Sequence, residues 1–358
     1  MLTKQSKKLV NIVNTFTHDI KYDKQIIFSL FNHLKNISLI PYHILEYSTE
    51  NNPKDPHISF SQEIGYKVSE FCKRSEECII KCSIGKTLVT ITIVYETIKD
   101  MKSFSKQLLF ILQYMISITQ CHLKQLNIAF YLLDYPKSLP ENWMETLLIP
   151  EKHHVNSGMC LVANHSATIH IWRKQEIMKV FIHEMIHALS LDLIPTTNSV
   201  NNHYLKKYSD RLTNIQIREA YTETWAEIIN CFLISQIYKN PPQKFYNMLH
   251  IEYIFSNIQF TKMKYLLDNN KNINKYTKCF SYYILKHEIY KSLPAFINLC
   301  KIHNQDYIYS KTEWFIQFLL NSSGMNDENT SLQEIKKNKL LLTTMKMSPH
   351  DYDLFNYE

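Results

Sequence analysis

Three residues within 180–192 (V-F-I-H-E-M-I-H-A-L-S-L-D) have types and spacing that could do chemistry: His183, Glu184 and His187, an H-E-x-x-H pattern. On a helix, positions four apart share one face, so the two imidazoles can meet a single ion. Glu184 projects beside them, within reach of a water on that ion without being a ligand. Two histidines that hold zinc and a carboxylate that takes a proton from the activated water make a hydrolytic centre. With 16 histidines in 358 residues, chance supplies roughly 0.04 such patterns, so the spacing carries information. The plainer alternative is a core helix with two satisfied histidines and a paired glutamate.

A catalytic zinc generally takes three protein ligands and leaves one position for water. A third histidine in the pattern H-E-x-x-H-x-x-G-x-x-H is excluded, because Ser190 and Leu193 occupy the matching positions. Residues 214–238 read as a second helix, with Glu219, Glu223 and Glu227 at i, i+4 and i+8 on one face. Ile217, Ala220, Trp225, Ile228, Ile229 and Phe232 crowd the neighbouring faces. A carboxylate stripe on so apolar a helix is costly to bury unless a cation compensates it. A zinc ion with two neutral imidazoles is such a cation; a solvated acidic face paired with lysines is the other reading.

The surrounding chain has to position these groups. Residues 175–191 contain neither Pro nor Gly, and Ile177, Val180, Phe181, Met185, Ile186 and Leu189 give the apolar spacing of a buried helix. Residues 77–83 and 86–95 are dense in β-branched side chains around Ile84-Gly85 and predict a hairpin. Residues 104–121 predict a helix, 126–133 a strand, and 168–172 a short strand just before the metal helix. The fold class is therefore α+β, a small twisted sheet with the metal helix beneath it. If 168–172 is the sheet edge beside the zinc, Thr168, Ile169, His170, Ile171 and Trp172 offer free backbone groups to an extended peptide; an ordinary inner strand is the alternative. His154, His165 and His170 lack ligand spacing.

Three regions follow. Residues 1–75 form an N-terminal helical and irregular extension, with helix-like spacing at 9–16 and 25–34 and a polar stretch at 48–57 containing Pro53 and Pro56. Residues 76–238 form the catalytic core. Residues 239–358 form a helical lobe opened by Pro241-Pro242, with a polar break at 321–330.

Composition excludes several classes. The net charge of +7 comes from dispersed lysines, and no basic stripe with interleaved aromatics marks a nucleic-acid surface. The first ten residues lack the apolar core and cleavage site of a signal peptide. The best apolar run, 108–118, contains Gln113 and is far short of the roughly 20 residues that span a bilayer. A soluble intracellular chain is expected, with its eight cysteines reduced. Cys72, Cys78 and Cys82 are close together, but their spacing matches no standard zinc pattern.

The pairing of F-I-H-E-M-I-H-A-L with E-T-W-A-E resembles the gluzincin metallopeptidases, in particular the lethal-factor-type catalytic domain, whose E-x-x-A-E helix supplies the third ligand through its first glutamate. By that resemblance Glu223 joins His183 and His187 as a ligand of one catalytic Zn2+, and Glu227 becomes a supporting residue. The run from Val155-Asn156-Ser157-Gly158 through 179–184 to 221–227 is also similar to zinc metallopeptidases encoded by large nucleocytoplasmic DNA viruses, which implies host cytoplasm or virion. The likeness covers about residues 155–235. Peptidases of this kind place a Tyr or His near the scissile carbonyl; Tyr221, Tyr208, His203 and Tyr204 are the candidates. Asp192, Glu227 and Asn230 are candidate acceptors for the histidine N–H groups.

The expected function is a zinc-dependent endopeptidase acting on a polypeptide, with Glu184 as general base. The alternative is a non-catalytic structural or partner-binding protein whose zinc ties two helices together. A nucleic-acid binder ranks last.

Overall fold

The computed structural model describes residues 1–16, 21–51, 62–119, 123–309, 313–322 and 330–355. Pro53, Pro56, Cys121 and most of the polar break expected at 321–330 lie outside them. The fold is α+β, as the sequence predicts, with a six-stranded open sheet and helical regions before and after it. The strands are β1 (Tyr42–Asn51), β2 (Glu76–Ile84), β3 (Thr87–Tyr95), β4 (Gln125–Tyr131), β5 (Gly158–Ala163) and β6 (Ser166–Ile171), in the order β1-β2-β3-β4-β6-β5.

Strands β2 and β3 form the expected antiparallel hairpin. Gly85 turns it with a positive φ of 55°, and an added Cβ there would press to 3.3 Å from Ile40 Cγ2, so both conformation and space favour glycine. Alternation buries Cys78, Ile80, Cys82 and Ile84 on one face. Cys78 and Cys82 are thus core thiols, and burial pushes Cys82 up to about 11. Strands β3 and β4 are parallel, so the chain crosses between them through a helix, Met101–Ser117.

Two strands depart from the sequence reading. β1 pairs antiparallel with β2, so the N-terminal region contributes a strand to the sheet. β5 pairs antiparallel with β6 and takes the outer position. The strand expected at 168–172 is therefore an inner strand, between β4 and β5, and Thr168, Ile169, His170 and Ile171 have no free edge; Trp172 follows the strand and donates its N–H to the Ser157 carbonyl at 2.9 Å. The cause is local. Asn164 and His165, at φ 47° and 63°, form the two-residue positive-φ turn that suits a hairpin, and residues 158–163 fold back onto β6.

Among the described residues up to 268 the helices are α1 (Lys4–Val13), α2 (Lys24–Lys35), α3 (Gln62–Cys72), α4 (Met101–Ser117), α5 (Trp143–Thr146), α6 (Lys152–Val155), α7 (Ile177–Ala188), α8 (Asn198–Lys207), α9 (Ile217–Ser235) and α10 (Pro241–Asp268). Helix α7 packs on β5 and β6 and against α9, which in turn packs on α10. A π-helical turn, Phe280–Leu285, then runs into α11 (Lys286–Lys291) and packs on α9 as well. No helix among the described residues is long and apolar enough to cross a membrane.

The last described stretch is not a surface tail. Residues 345–351 thread through the interior. The Met345 N–H donates to the Lys137 carbonyl at 2.9 Å, those of Met347 and Ser348 to Glu176 Oε1 at 3.1 and 2.9 Å, and the Ser6 hydroxyl to the Pro349 carbonyl at 2.6 Å.

Candidate metal centre

Helix α7 is buried along almost its whole length, which the apolar spacing dictates, and so it can present polar groups only towards partners. Its Lys179, His183 and His187 recur every four residues and form a basic stripe. Helix α9 is equally buried, with Glu219, Glu223 and Glu227 at 8%, 0% and 0% exposure. The stripes face each other with the chains running in opposite directions, because Lys179 meets Glu223 while His187 meets Glu219.

At the centre, His183 Nε2 and His187 Nε2 lie 3.2 Å apart, and Glu219 Oε2 is 3.5 Å from each. The outer ring nitrogens are taken by carboxylates: His183 Nδ1 lies 2.8 Å from Glu223 Oε2 and His187 Nδ1 lies 2.7 Å from Asp192 Oδ2. A neutral imidazole that donates from Nδ1 carries its lone pair on Nε2. Two such lone pairs would then point at one spot beside a carboxylate, which is repulsive unless a proton or a metal cation lies between them. Bonds of 2.0–2.1 Å in tetrahedral geometry separate ligand atoms by about 3.3–3.4 Å, matching these distances. The three residues fit a zinc ion.

The carboxylate that meets the two Nε2 atoms is not the one expected. Glu223 does not face the ion position; it lies behind His183, orienting the ring, and its other oxygen binds Lys179 Nζ at 2.6 Å. Glu219, one turn earlier, takes its place. Lys179 accounts for the difference, since an ammonium four residues before His183 claims the carboxylate opposite it and leaves Glu219, one turn earlier on α9, to face the two Nε2 atoms. That lysine, in register with the two histidines on α7, is the one signal in the sequence that bears on the choice of glutamate.

Asp192 supports His187 as expected, and it accepts from the Thr222 hydroxyl at 2.9 Å. The other two expected supports do not reach the histidines. Glu227 pairs with Lys286 in the core, and Asn230 donates to the His350 carbonyl at 3.0 Å. The three tyrosines and the histidine expected at the carbonyl are also elsewhere. Tyr221 donates to the Ile308 carbonyl at 2.7 Å, Tyr208 and Tyr204 bind Glu288, and the His203 ring packs edge-on to Tyr204.

The tyrosine that does reach the centre is Tyr282, on the π-helical turn. Its hydroxyl donates to Glu219 Oε2 at 3.3 Å, and its ring centroid is 6.1 Å from that of His183. Insertion of a π turn re-aims side chains relative to an α-helix. With His183, Glu184, His187, Glu219, Asp192, Arg218 and the β5 residues Gly158, Met159, Cys160 and Val162, it lines a cleft of about 460 Å³. The strand bordering the ion position is therefore β5.

Electrostatics follow from burial and pairing. Burial works against charging either imidazole, but Glu219 and Glu223 raise His183, and Asp192 with Glu219 lifts His187 well above the ordinary histidine value. Burial opposes the charge on Glu219 too, yet hydrogen bonds to both histidines hold it well below the usual carboxylate range. Glu184 is raised by burial, with His183 and His187 pulling it back. Beneath the centre, Glu176 is held down at about 2 despite burial, by Lys137, Lys179 and Lys346.

The segment before β5 has an organiser of its own. Arg173, fully buried, donates to the carbonyls of Asn156, Tyr135, Pro136 and His153 and lies 4.4 Å from the Tyr135 ring centroid. These bonds fix the segment that leads into Gly158.

No protein-family model, curated protein or solved structure matches the chain. The functional reading stands on the geometry of the centre.

Proposed function

We propose that the chain is a zinc-dependent metallopeptidase. The observation that carries this reading is the meeting of two Nε2 atoms and one carboxylate oxygen at tetrahedral edge distances, each imidazole backed by a carboxylate. His183, His187 and Glu219 would hold the ion. A zinc ion there supplies Lewis acidity and brings a water's pKa towards neutrality.

The chain's own groups do the rest. Glu184 is buried and its carboxyl is raised by that burial, which makes it a better proton acceptor near neutral pH. It takes the water's proton on its carboxylate as the peptide carbonyl is attacked, then gives it to the leaving amine. The Tyr282 hydroxyl, kept protonated by burial, is a donor for the carbonyl oxygen as it gains charge. The outer edge of β5 is the place where an extended peptide would add as a further strand.

A closed structural zinc site, the alternative, is less well supported. Three residues among those described form this group, and a cleft opens on them, which leaves a position for water.

The test is Glu184→Gln. The variant is expected to keep the wild-type metal content while hydrolysis of a mixed peptide library collapses by about 10³-fold or more. Undiminished hydrolysis would rule the mechanism out.

A further inference from the structure

Away from the histidine centre, three side chains of ligating type meet in the helical half: Cys231 on α9, Glu252 on α10 and His350 on the C-terminal segment. Cys231 Sγ lies 3.6 Å from Glu252 Oε1 and 3.9 Å from His350 Nδ1, and those two atoms are 2.7 Å apart. All three residues are buried. A tetrahedral zinc with a sulfur bond near 2.3 Å places sulfur about 3.6 Å from its nitrogen and oxygen partners. The two separations involving sulfur are close to that edge length. The third is a hydrogen-bond distance that opens when an ion replaces the shared proton.

A second observation points the same way. Glu252 Oε1 carries the contacts to Cys231 and His350, while Oε2 of the same carboxylate is buried with no hydrogen-bond partner among the described residues, so the group is short of a positive partner. Lys286, the cation that acts on Glu252, is committed to Glu227 and to the Met347 carbonyl. The surroundings hold the group in place. Asn230 donates to the His350 carbonyl at 3.0 Å, the His350 N–H to Ser348 Oγ at 3.0 Å, and the Ser348 hydroxyl to Glu252 Oε1 at 2.5 Å.

We infer that Cys231, Glu252 and His350 form a second, structural metal site that takes zinc. A thiolate, a carboxylate and a neutral imidazole neutralise a dication, so the loaded site buries no net charge. Sulfur with imidazole selects zinc over calcium or magnesium. The Ser348 hydroxyl is an oxygen at hand for the fourth position. Loading releases to solvent the Cys231 thiol proton and the proton between Glu252 and His350. The ion pins residues 348–350 to α9 and α10, and through Met347 steadies Glu176 beneath the histidine centre.

The test uses the full chain expressed in zinc-depleted medium with cobalt, so that the ion is available while the chain folds. A cysteinate-to-cobalt charge-transfer band is expected in the wild type and in the His183→Ala/His187→Ala double variant. It should disappear in Cys231→Ser and persist in Cys160→Ser, whose thiol borders the histidine cleft. Zinc in the protein purified from ordinary medium should fall from about two equivalents to about one in the double variant. A wild type without the band, or a band lost with Cys160 and kept without Cys231, overturns the inference. Should Cys231→Ser fail to fold, the wild-type and Cys160→Ser spectra still decide. The result is independent of whether the chain cleaves peptides.

Discussion

Replacing Gly158 by alanine would set a Cβ 2.7 Å from Glu184 Oε1, and 2.9 Å from both Glu184 Cγ and Val180 Cγ1. Comfortable contacts lie near 3.5 Å, so the Glu184 carboxylate has to retreat by about 0.6–0.8 Å or β5 has to lift off α7. Misplacing a reacting group by about 1 Å costs on the order of 10²-fold. Gly158→Ala should therefore lower kcat by about 10- to 100-fold, or about 1.4–2.7 kcal/mol in the barrier. The crowded atoms belong to Glu184 and Val180, none of them to an ion ligand, so metal content should stay at the wild-type level. Overpacking should lower stability by about 1–3 kcal/mol, visible as a modest fall in Tm. The assay is turnover of a quenched-fluorescence peptide library, with metal analysis and thermal melting on the same preparations. A folded, metal-replete Gly158→Ala with wild-type turnover would refute the idea that this glycine makes room for the general base.

The two glutamates on α9 should separate by role. Glu223→Gln is expected to weaken zinc binding at the histidine site by about 10- to 100-fold, as loss of a ring-orienting partner does, whereas Glu219→Gln should weaken it by well over 10³-fold; competition with a chromophoric chelator reads both, and the reverse order would restore Glu223 as ligand. Neighbouring carboxylates raise His183 and His187, so protons compete with the ion for their ring nitrogens. Affinity should fall as pH falls, and calorimetry in buffers of different ionisation enthalpy should show protons released; binding without release would contradict the pairing. Lys262, buried with only carbonyls for partners, is lowered from 10.5 to about 7 by burial. Below about 7 both states carry its charge and the fold bears the full penalty; between about 7 and 10.5 the unfolded chain binds the extra proton, so stability rises with pH. Urea unfolding at pH 7 and pH 9.5 should show the wild type gaining about 3 kcal/mol relative to Lys262→Met, and parallel pH profiles would count against it.

The parts of the centre that lie within one helix were legible in the chain. His183, Glu184 and His187 are set by spacing alone, and Asp192 follows closely enough to reach back to the same helix. The β2–β3 hairpin announced itself through β-branched residues and Gly85. What spacing could not supply was the register between two helices. Any of three glutamates on α9 could face the histidines, and the choice turns on Lys179, whose partner is a tertiary contact. Tyr282 was invisible for a similar reason, since it arrives from a distant π turn with no local pattern to mark it. The edge strand was misassigned because Gly158–Ala163 is partly exposed and shows no clean alternation. The Asn164-His165 pair was the available clue to the hairpin.

The buried course of residues 345–351 has a bearing on how the centre is assembled. Helix α7 can wind as soon as it is synthesised, but Glu176 gains its amide donors from Met347 and Ser348, and Lys179 touches Met347 Sδ at 3.5 Å. During translation Glu176 and Lys179 can meet Lys137 and Glu223, but their contacts to Met347 and Ser348 wait until the helical half has been added. The histidine centre is thus backed by residues that lie 171 and 172 positions beyond Glu176, so its order depends on a contact that forms only once the helices between them have been made.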